Sequence, residues 1–516
     1  MFSGPRFASL VVGTLCFGLS SVTLHAGDLA SDVREALRAS TLSDHGVAYS
    51  IVELDTKAVL AQHNEQKPFL GASNVKVLTT GAALLTLGAD FAFQTKLILT
   101  QTAAGASTLT LVGSGDPALF DPEAIRADGT HGNWSTVSHA VASWASALRD
   151  AGITRIHEVV IDARIFDGEG MPEGDGKWKS NAFGTYAVPV HGLNLAANVA
   201  VIDPEWHGKG APTLGSVNPP LPLTLVKNSA SCTTKSASTF VIHRGARADE
   251  ITFQGALPKS HGSFAVSVSD PVALAGPMLV REFGRVGVEI AGSRIATAQD
   301  PAAEGTIVLP VLTTPIATVL RGANTDSKNI YAEALTKRMG AALANGRDAI
   351  VGPNSKPGSW DLGFQALGAA INARVGPRCD ASVCLVDGSG LSDKSRMTSD
   401  TTARWLAALA SDPTNGPTYF ASFARPGQAG TLKNRFKGTT FQGVEVYGKS
   451  GYIAGVSCLS GIVVASESGR TLVYSILCNG VGDRVAAAKT LHETIVRRLA
   501  AELTPRSTRT ANAAGH

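Results

Sequence analysis

A serine and a lysine one helical turn apart are the first residues whose spacing can do chemistry. Ser73 and Lys76 form the only Ser-x-x-Lys in the chain. A lysine can take a serine's proton when burial or a nearby cation keeps its amine neutral. Apolar residues at positions 77, 78, 84, 85 and 87 predict a buried helix that ends at Gly88. The pattern therefore predicts a serine nucleophile at a helix start with its base one turn further on.

Two later motifs add groups of the same kind. Ser327-Lys328-Asn329 lies in a predicted loop before a helix, and Lys449-Ser450-Gly451 lies in a predicted strand, residues 444–453. Alone, the first motif can be a helix cap and the second a solvated lysine in an edge strand. Another Ser-x-Asn, residues 216–218, precedes two prolines and predicts a plain turn. The order and placement of the three motifs favour one catalytic group: Ser73, Lys76, Ser327, Asn329 and Lys449.

Length and composition limit the kind of protein that carries these motifs. A chain of 516 residues predicts about three domains. With 44% hydrophobic and 17% charged residues and 54 glycines, it belongs with loop-rich globular proteins. The 45 basic and 42 acidic residues are spread along the chain, which disfavours a nucleic-acid partner. The 12 histidines form no His-Glu-x-x-His and the cysteines no Cys-x-x-Cys, so we expect neither a metal nor another cofactor.

The N-terminus has the pattern of an export signal. Arg6 precedes an apolar or small-residue run from Phe7 to Val22, and Ala26 offers a small residue for cleavage. The run is shorter than the roughly 20 residues that span a bilayer, which disfavours a membrane anchor. We therefore expect residues 1–26 to be a signal peptide and the mature protein to be exported to the periplasm.

Removal of that peptide leaves five cysteines, an odd number. Cys458 and Cys478 lie in two predicted strands joined by a turn at Ser468. A hairpin centred on Ser468 places them opposite each other, which allows either a cross-strand disulfide or two separate buried thiols. Cys379 and Cys384 can close a small surface loop. The sequence leaves both pairings open.

The C-terminal part predicts strands followed by an amphipathic helix. Residues 444–453, 457–465 and 471–479 read as three strands, and residues 484–503 carry apolar side chains on one side of a helix. Such a helix can lie on a membrane surface, but one that directly follows strands more often covers their sheet. We expect at most peripheral membrane contact. The tail at residues 504–516 has almost nothing to bury and predicts disorder.

The three motifs resemble the signature of the serine DD-peptidase and β-lactamase superfamily, S-x-x-K, S-D-N or a variant, and K-T-G. The gap from Ser73 to Ser327 is about twice the gap from Ser327 to Lys449. That long first gap is similar to the class C low-molecular-mass penicillin-binding proteins, the D-alanyl-D-alanine carboxypeptidase/endopeptidase family of peptidase S13 type. Further similar stretches occur along nearly the whole chain after residue 26, at residues 111–117, 326–335, 385–392, 430–432 and 449–461.

The resemblance implies an α/β (α+β) fold, a DD-peptidase and β-lactamase-like transpeptidase domain with two nested β-rich inserted domains. The catalytic domain would comprise residues 27–95 and 300–516. The first inserted domain would comprise residues 96–189 and 263–299, and it would itself contain the second, residues 190–262. The implied partners are peptidoglycan stem peptides and β-lactam antibiotics, and the oligomeric state stays open.

The resemblance also implies a role for each site residue. Ser73 would attack the penultimate D-alanine, Lys76 would accept its proton, Ser327 would protonate the leaving amine, and Asn329 would hold Lys76 and the substrate amide. Lys449 and Ser450 would bind the terminal carboxylate, and the N–H groups of Ser73 and Tyr452 would form the oxyanion hole. The substrate-binding set is Ser450, Gly451, Tyr452 and Asp162, the last through an amine of the stem peptide.

The chain departs from the usual motif at two places that face the cleft in the family. Lys328 stands where Asp or a small residue is common and is expected to strengthen anion binding or to depress the pKa of Lys76. Tyr452 stands where Thr is common and narrows the cleft. Two other functions stay open at this stage: a β-lactamase or esterase of the same fold, and a non-catalytic protein that binds cell wall or β-lactams.

Overall fold

The computed structural model describes residues 26–101, 105–128, 136–172, 176–181, 184–348, 352–377 and 381–504. The predicted signal peptide, apart from Ala26, and the predicted disordered tail after Thr504 lie outside these residues. The α-helices of the described part are α1 Ala26–Ala39, α2 Val75–Leu87, α3 Pro122–Asp128, α4 Val137–Asp150, α5 Gly176–Ser180, α6 Pro271–Arg285, α7 Ile316–Asn324, α8 Asn329–Asn345, α9 Trp360–Val375, α10 Ser399–Ala410, α11 Gly416–Ala421 and α12 Val485–Leu503.

The strands form five sheets in the part of the chain that the structure describes. They are β1 Val47–Glu53, β2 Val59–His63, β3 Ala92–Gln101, β4 Ser107–Val112, β5 Arg155–Ile156, β6 Glu158–Asp162, β7 Val199–Glu205, β8 Thr213–Asn218, β9 Thr224–Thr233, β10 Val241–Arg244, β11 Glu250–Pro258, β12 Phe264–Ser267, β13 Glu289–Ile290, β14 Ser293–Ile295, β15 Thr306–Pro315, β16 Val444–Ile453, β17 Val456–Ala465 and β18 Thr471–Asn479.

The sheet that carries the third motif joins both ends of the chain. Its order is β16-β17-β18-β1-β2, and β1 pairs antiparallel with β18, with Val47 opposite Cys478. Nearly every residue of β1, β17 and β18 is buried, because helices cover both faces. Strand β16 lies at an edge of the sheet, so one side of its backbone pairs with no further strand of this sheet.

Helices α1 and α12 cover one face of this sheet. The apolar side chains predicted for the last helix, Ala488, Leu491, Ile495, Leu499 and Leu503, are all buried in one cluster with strands β17 and β18. The prediction that this helix covers a sheet is confirmed. Among the helices of the described residues, we find none long and apolar enough to cross a membrane.

A helical layer with α2 at its centre covers the other face. Almost all of α2 is buried, and the helix ends at Gly88, whose φ of 89° only glycine adopts readily, as the sequence predicts. Helices α8, α9 and α10 surround α2. Gly81 of α2 lies against Trp405 and Leu409 of α10, with room for no side chain between them. Close packing of this kind holds the first turn of α2 in place.

The chain between α2 and α7 builds the remaining sheets. The largest has the order β14-β6-β4-β3-β15, and helices α4 and α6 pack against it in a separate apolar cluster. Two three-stranded sheets, β12-β7-β8 and β10-β11-β9, share a smaller core. Residues 216–218, for which the sequence predicts a turn, end strand β8 instead. The domain limits at residues 96, 190, 263 and 300 stay a prediction.

The register of β17 and β18 decides between the two alternatives for Cys458 and Cys478, in favour of two separate buried thiols. Cys458 lies opposite Leu477, and Ser457 lies opposite Cys478, so the hairpin is shifted by one residue from the predicted pairing. Such a shift turns the two thiols to opposite faces of the sheet, and each is buried in a different core. Both are free thiols, as is Cys384, whose suggested partner Cys379 lies outside the described residues.

Candidate active site

Ser73 lies in a tight turn just before α2. The turn spans Ala72–Asn74, and Ala72 has a φ of 44°, a left-handed conformation that strains a residue with a side chain by about 1 to 3 kcal/mol. Gly390 supports the turn from behind, because a Cβ there would lie 1.9 Å from the carbonyl oxygen of Ala72. The strained turn leaves Ser73 half-buried at the surface of the core, while the helix that follows is buried.

Lys76 is completely buried one turn further along α2 and points at Ser73. Its Nζ donates to Ser73 Oγ at 3.0 Å, to Asn329 Oδ1 at 2.7 Å and to the carbonyl oxygen of Ser389 at 2.8 Å. These acceptors come from the turn before α2, from the start of α8 and from the loop before α10. Three distant parts of the chain therefore hold one amine beside one hydroxyl.

Burial lowers the pKa of Lys76 to about 7, and the carboxylates of Glu333 and Asp387 oppose that shift. A large share of Lys76 is therefore neutral near neutral pH and can accept a proton. The pKa of Glu333 is raised to about 7, chiefly by its own burial and further by Asp387. The Lys76 amine thus titrates in the same range as the acid behind it.

Sequence reasoning missed these two acids. Glu333 lies on α8, where its Oε2 accepts from Trp360 Nε1 at 2.7 Å and from the backbone N–H of Gly388 at 2.9 Å. Asp387 accepts from the N–H of Ser392 at 2.8 Å and so shapes the loop that presents the Ser389 carbonyl. The signal was available in the runs 326–335 and 385–392, which contain Glu333 and Asp387 and carry the family resemblance.

Ser327 and Lys449 form a second polar pair at the same place. Lys449 Nζ donates to Ser327 Oγ at 2.9 Å and to the carbonyl oxygen of Ser450 at 2.7 Å. Ser327 has a φ of 62°, so its backbone has the same strained left-handed conformation as that of Ala72. Burial holds the pKa of Lys449 well below its usual value, and the charge of Lys76 lowers it further. The two lysines are therefore close enough to influence each other.

Strand β16 lies directly against the Ser73 turn. A Cβ on Gly451 would lie 2.7 Å from the carbonyl oxygen of Gly71 and 3.0 Å from the N–H nitrogen of Asn74, so only glycine fits. Asn74 also donates its side-chain amide to the carbonyl oxygen of Lys449 at 3.0 Å. Ser450 is half-buried, and Tyr452 next to Gly451 exposes 60% of its surface. The structure thus brings Ser450, Gly451 and Tyr452 to the site.

The inserted chain also reaches the site. Asn329 donates its side-chain amide to the carbonyl oxygen of Tyr186 at 2.8 Å, and Trp178 of α5 donates its indole N–H to Asp387 at 3.1 Å. Tyr186 itself is about half exposed. The segment around α5 therefore forms one wall beside Asn329, a contribution that the three motifs did not indicate.

Lys328 does not act as the sequence suggested. Its Nζ makes ion pairs with Asp121 and, at 2.9 Å, with Glu123, both near the start of α3. The two carboxylates take up its charge, and Lys328 is not among the groups that shift the pKa of Lys76. The expectation that Lys328 depresses the pKa of Lys76 is wrong, because the lysine lies in an ion-pair network with the insert.

Asp162 is not brought together with the other predicted site residues. It ends β6 with its carboxylate almost fully buried, and both oxygens accept from Arg164, at 2.9 and 2.7 Å. Arg164 also donates to the backbone oxygens of Thr297, Asp300 and Pro301. An acid occupied in this way fastens two loops together and offers no free oxygen to a substrate amine.

The geometry suits one kind of reaction. A serine hydroxyl, a largely neutral amine at hydrogen-bond distance and a second serine–lysine pair provide a nucleophile, a base and a proton donor. In the described part of the chain, no group of three histidine, cysteine or acidic side chains is arranged to hold a metal ion. The arrangement can form and hydrolyse an acyl-enzyme with amino-acid side chains alone.

Comparison with known proteins agrees with this chemistry. The profile of the D-Ala-D-Ala carboxypeptidase 3 (S13) family matches residues 29–502. The chain is 28% identical over 478 residues to the D-alanyl-D-alanine carboxypeptidase of Actinomadura sp. (strain R39), covering 88% of this chain and 81% of that protein. It is 26% identical over 485 residues to carboxypeptidase DacB of Mycolicibacterium smegmatis, covering 93% and 85%.

The fold is similar to that of a solved penicillin-binding protein. The crystal structure of penicillin binding protein 4 (dacB) from Haemophilus influenzae aligns with a TM-score of 0.69 at 20% identity, over 92% of this chain and 99% of the other. This likeness confirms the predicted α/β fold of the DD-peptidase type. With the family profile spanning nearly its full length, the chain belongs to the D-Ala-D-Ala carboxypeptidase 3 (S13) family and is a serine-type carboxypeptidase.

Proposed function

We propose that this enzyme hydrolyses the terminal D-alanyl-D-alanine bond of peptidoglycan stem peptides with Ser73 as nucleophile and Lys76 as base. The observation that carries the proposal is the 3.0 Å contact between Lys76 Nζ and Ser73 Oγ, together with a Lys76 pKa of about 7. A buried amine without that shift would stay protonated and could not accept the serine proton. The same site would cleave D-alanyl cross-links, as an endopeptidase.

Acylation begins when Ser73 Oγ attacks the carbonyl carbon of the penultimate D-alanine. Its proton moves to Lys76 Nζ, which Asn329 and the Ser389 carbonyl hold in place. Ser327 donates a proton to the leaving amine as the amide bond breaks, and it takes up in return the proton that Lys76 accepted from Ser73. Lys449 lies 2.9 Å from Ser327 Oγ and, with Ser450, binds the carboxylate of the departing D-alanine. Water then attacks the ester, and Ser73 recovers its proton.

The backbone supports an oxyanion hole between the Ser73 turn and strand β16. Gly448 donates its N–H to the carbonyl oxygen of Ala424, away from β17, at the open edge of the sheet. Strand alternation turns every second N–H the same way, so the N–H of Tyr452 faces that edge too. Together with the N–H of Ser73 it would bind the oxyanion, and loss of one such donor typically slows acyl transfer by about a hundredfold or more.

We also infer where and on what the enzyme works. The N-terminal pattern of residues 1–26 supports export to the periplasm, where stem peptides are found. A related structure, penicillin binding protein 4 from Haemophilus influenzae, was solved with a bound β-lactam. An amide-like lactam carbonyl would acylate Ser73 by the same steps. The division into a catalytic domain, residues 27–95 and 300–516, and two nested inserts belongs to this proposal.

Labelling with a fluorescent penicillin tests the assignment directly. We expect one adduct per molecule, located by mass spectrometry on the peptide that contains Ser73, and Ser73→Ala should abolish both the adduct and the release of D-alanine from a pentapeptide. Ser392→Ala is a matched control, because Ser392 lies on the nearby loop and has no role in the proposed reaction. Labelling that survives Ser73→Ala would refute the assignment.

The time course of the label separates the remaining functions. A carboxypeptidase releases D-alanine and keeps the penicilloyl group for minutes or longer, whereas a β-lactamase loses the label rapidly and releases little D-alanine. A non-catalytic protein would take up no covalent label. Conversion of cross-linked muropeptide dimers to monomers would establish the endopeptidase activity.

A further inference from the structure

A cavity of about 590 Å³ lies where α8 meets strands β3, β4 and β15. Arg338 of α8, Lys96 of β3 and Ser114 just after β4 line it, and Glu304 lies just before β15. The residues proposed for catalysis, Ser73 and Lys76 among them, do not. Arg338 follows Asn329 by nine residues on α8, which places the cavity about 14 Å along the helix from the catalytic group.

Arg338 is a buried cation with an unused donor. Arg338 is only 6% exposed. Its Nε has no hydrogen-bond partner among the described residues. The guanidinium donates Nη2 to the carbonyl oxygen of Arg347 and lies 5.0 Å from the centre of the Phe91 ring. Burial lowers its pKa to about 10, so it stays charged near neutral pH. A buried charge of this kind is normally paired or bound to an ion.

Two other lining groups are also hydrogen-bond donors. Ser114 Oγ is buried and has no partner in the part of the chain that the structure describes. Lys96, which is half-buried, makes no ion pair with any described residue. The acids nearby are occupied: Asp90 and Asp348 pair with Arg347, and Asp162 with Arg164. Glu304, which also lines the cavity, is exposed and carries the opposite charge.

We propose that this cavity is a second, non-catalytic binding site for a small carboxylate with an apolar body. The carboxylate accepts hydrogen bonds from Arg338 Nε and Ser114 Oγ, and Lys96 contributes a further positive charge. The apolar body lies against Phe93, Ile98 and Ile165, which also line the cavity. A volume of about 590 Å³ falls within the range of natural small-molecule sites.

Calorimetry with benzoate on the full-length protein after signal-peptide removal tests the site. We expect saturable binding of one benzoate and none of benzylammonium, which has the same ring and the opposite charge. Inorganic phosphate, which has the charge without the ring, should bind at least tenfold more weakly. Ser73→Ala should bind benzoate as tightly as the wild-type protein, so the result does not depend on the proposed reaction.

Substitutions at the wall locate the bound ligand. Ser114→Ala and Lys96→Gln should each weaken benzoate binding by about threefold to tenfold, in line with loss of one hydrogen bond or charge. Glu304→Gln should strengthen binding, because it removes the only acid of the lining that makes no ion pair among the described residues. The control is Lys235→Gln, because Lys235 is exposed and does not line the cavity.

Arg338→Gln should abolish binding, but this core residue can also be needed for folding. If the Arg338→Gln protein does not fold, the affinities of Ser114→Ala and Lys96→Gln for benzoate decide whether the cavity binds the carboxylate. Unchanged affinity in both Ser114→Ala and Lys96→Gln would overturn the proposal. So would a crystal structure with 4-bromobenzoate in which the anomalous bromine signal lies beside Ser73 rather than beside Arg338.

Discussion

The pH dependence of acylation follows from the buried amine beside the nucleophile. Acylation requires neutral Lys76, whose pKa burial lowers to about 7. The neutral fraction is then about nine tenths at pH 8, one half at pH 7 and one tenth at pH 6. The second-order rate constant for acylation by benzylpenicillin should therefore fall about tenfold from pH 8 to pH 6, and about tenfold again to pH 5.

Lys449 should produce a second, opposing limb. Burial, and then the charge of Lys76, hold the pKa of Lys449 well below its usual value. The rate should therefore fall at a lower pH than an ordinary lysine would give, because neutral Lys449 no longer binds the carboxylate of the ligand. The profile of rate against pH should be bell-shaped. Lys449→Arg should keep the rising limb and remove the falling limb, because a guanidinium stays protonated throughout this range. Lys76→Arg should be nearly inactive at every pH for the same reason.

Stopped-flow fluorescence with a labelled penicillin, at constant ionic strength from pH 5 to pH 10, measures both limbs. Circular dichroism at each pH shows whether the protein remains folded. A rate that stays constant between pH 5.5 and pH 8 would refute the role of Lys76 as a base with a depressed pKa. Equal residual rates in the two arginine variants would contradict the different roles given to the two lysines.

Three further perturbations test the parts that hold the site. Glu333→Gln should move the rising limb to lower pH, because the Glu333 carboxylate raises the pKa of Lys76. Burial raises the pKa of Glu333 in the folded protein to about 7. As the pH rises from 4.5 to 7, the wild type should therefore lose stability relative to this variant, measured as the difference in Tm. Gly451→Ala should slow acylation by about tenfold or more with a normal circular dichroism spectrum, because its Cβ forces β16 away from Gly71. Asp162→Asn should lower the free energy of unfolding in urea by about 1 to 3 kcal/mol and leave penicillin acylation unchanged, since Asp162 binds Arg164. If this variant instead lost activity only on a muropeptide that carries a free amine, Asp162 would be a substrate contact.

Local patterns in the sequence were enough to find the groups that we propose to react. Ser73 and Lys76 are one helical turn apart, and Lys449 belongs to a strand that the alternation of residue types predicts. The last helix was also predictable, because its buried apolar stripe repeats with the period of a helix. The fold class was predicted from the resemblance of the three motifs to a known superfamily. Each of these features depends on a few neighbouring residues.

Features that depend on distant residues were not predictable. Glu333 and Asp387 act on Lys76 only because α8 and a loop 54 residues later meet behind α2, and no spacing in the sequence records that meeting. Lys328 reads as an active-site cation until the insert supplies Asp121. The sequence left the pairing of Cys458 with Cys478 open for a smaller reason, since a register shift of one residue moves a side chain across the sheet.

The pairing of β1 with β18 has a consequence for the order in which the protein matures. Val47 lies opposite Cys478, so the central sheet can close only after almost the whole chain has been made. Contacts so far apart in sequence form late, and translation of the intervening chain takes on the order of tens of seconds. During that time Ser73 exists without Lys449 beside it. A growing or truncated chain that lacks β16 to β18 therefore cannot assemble the site proposed for acylation.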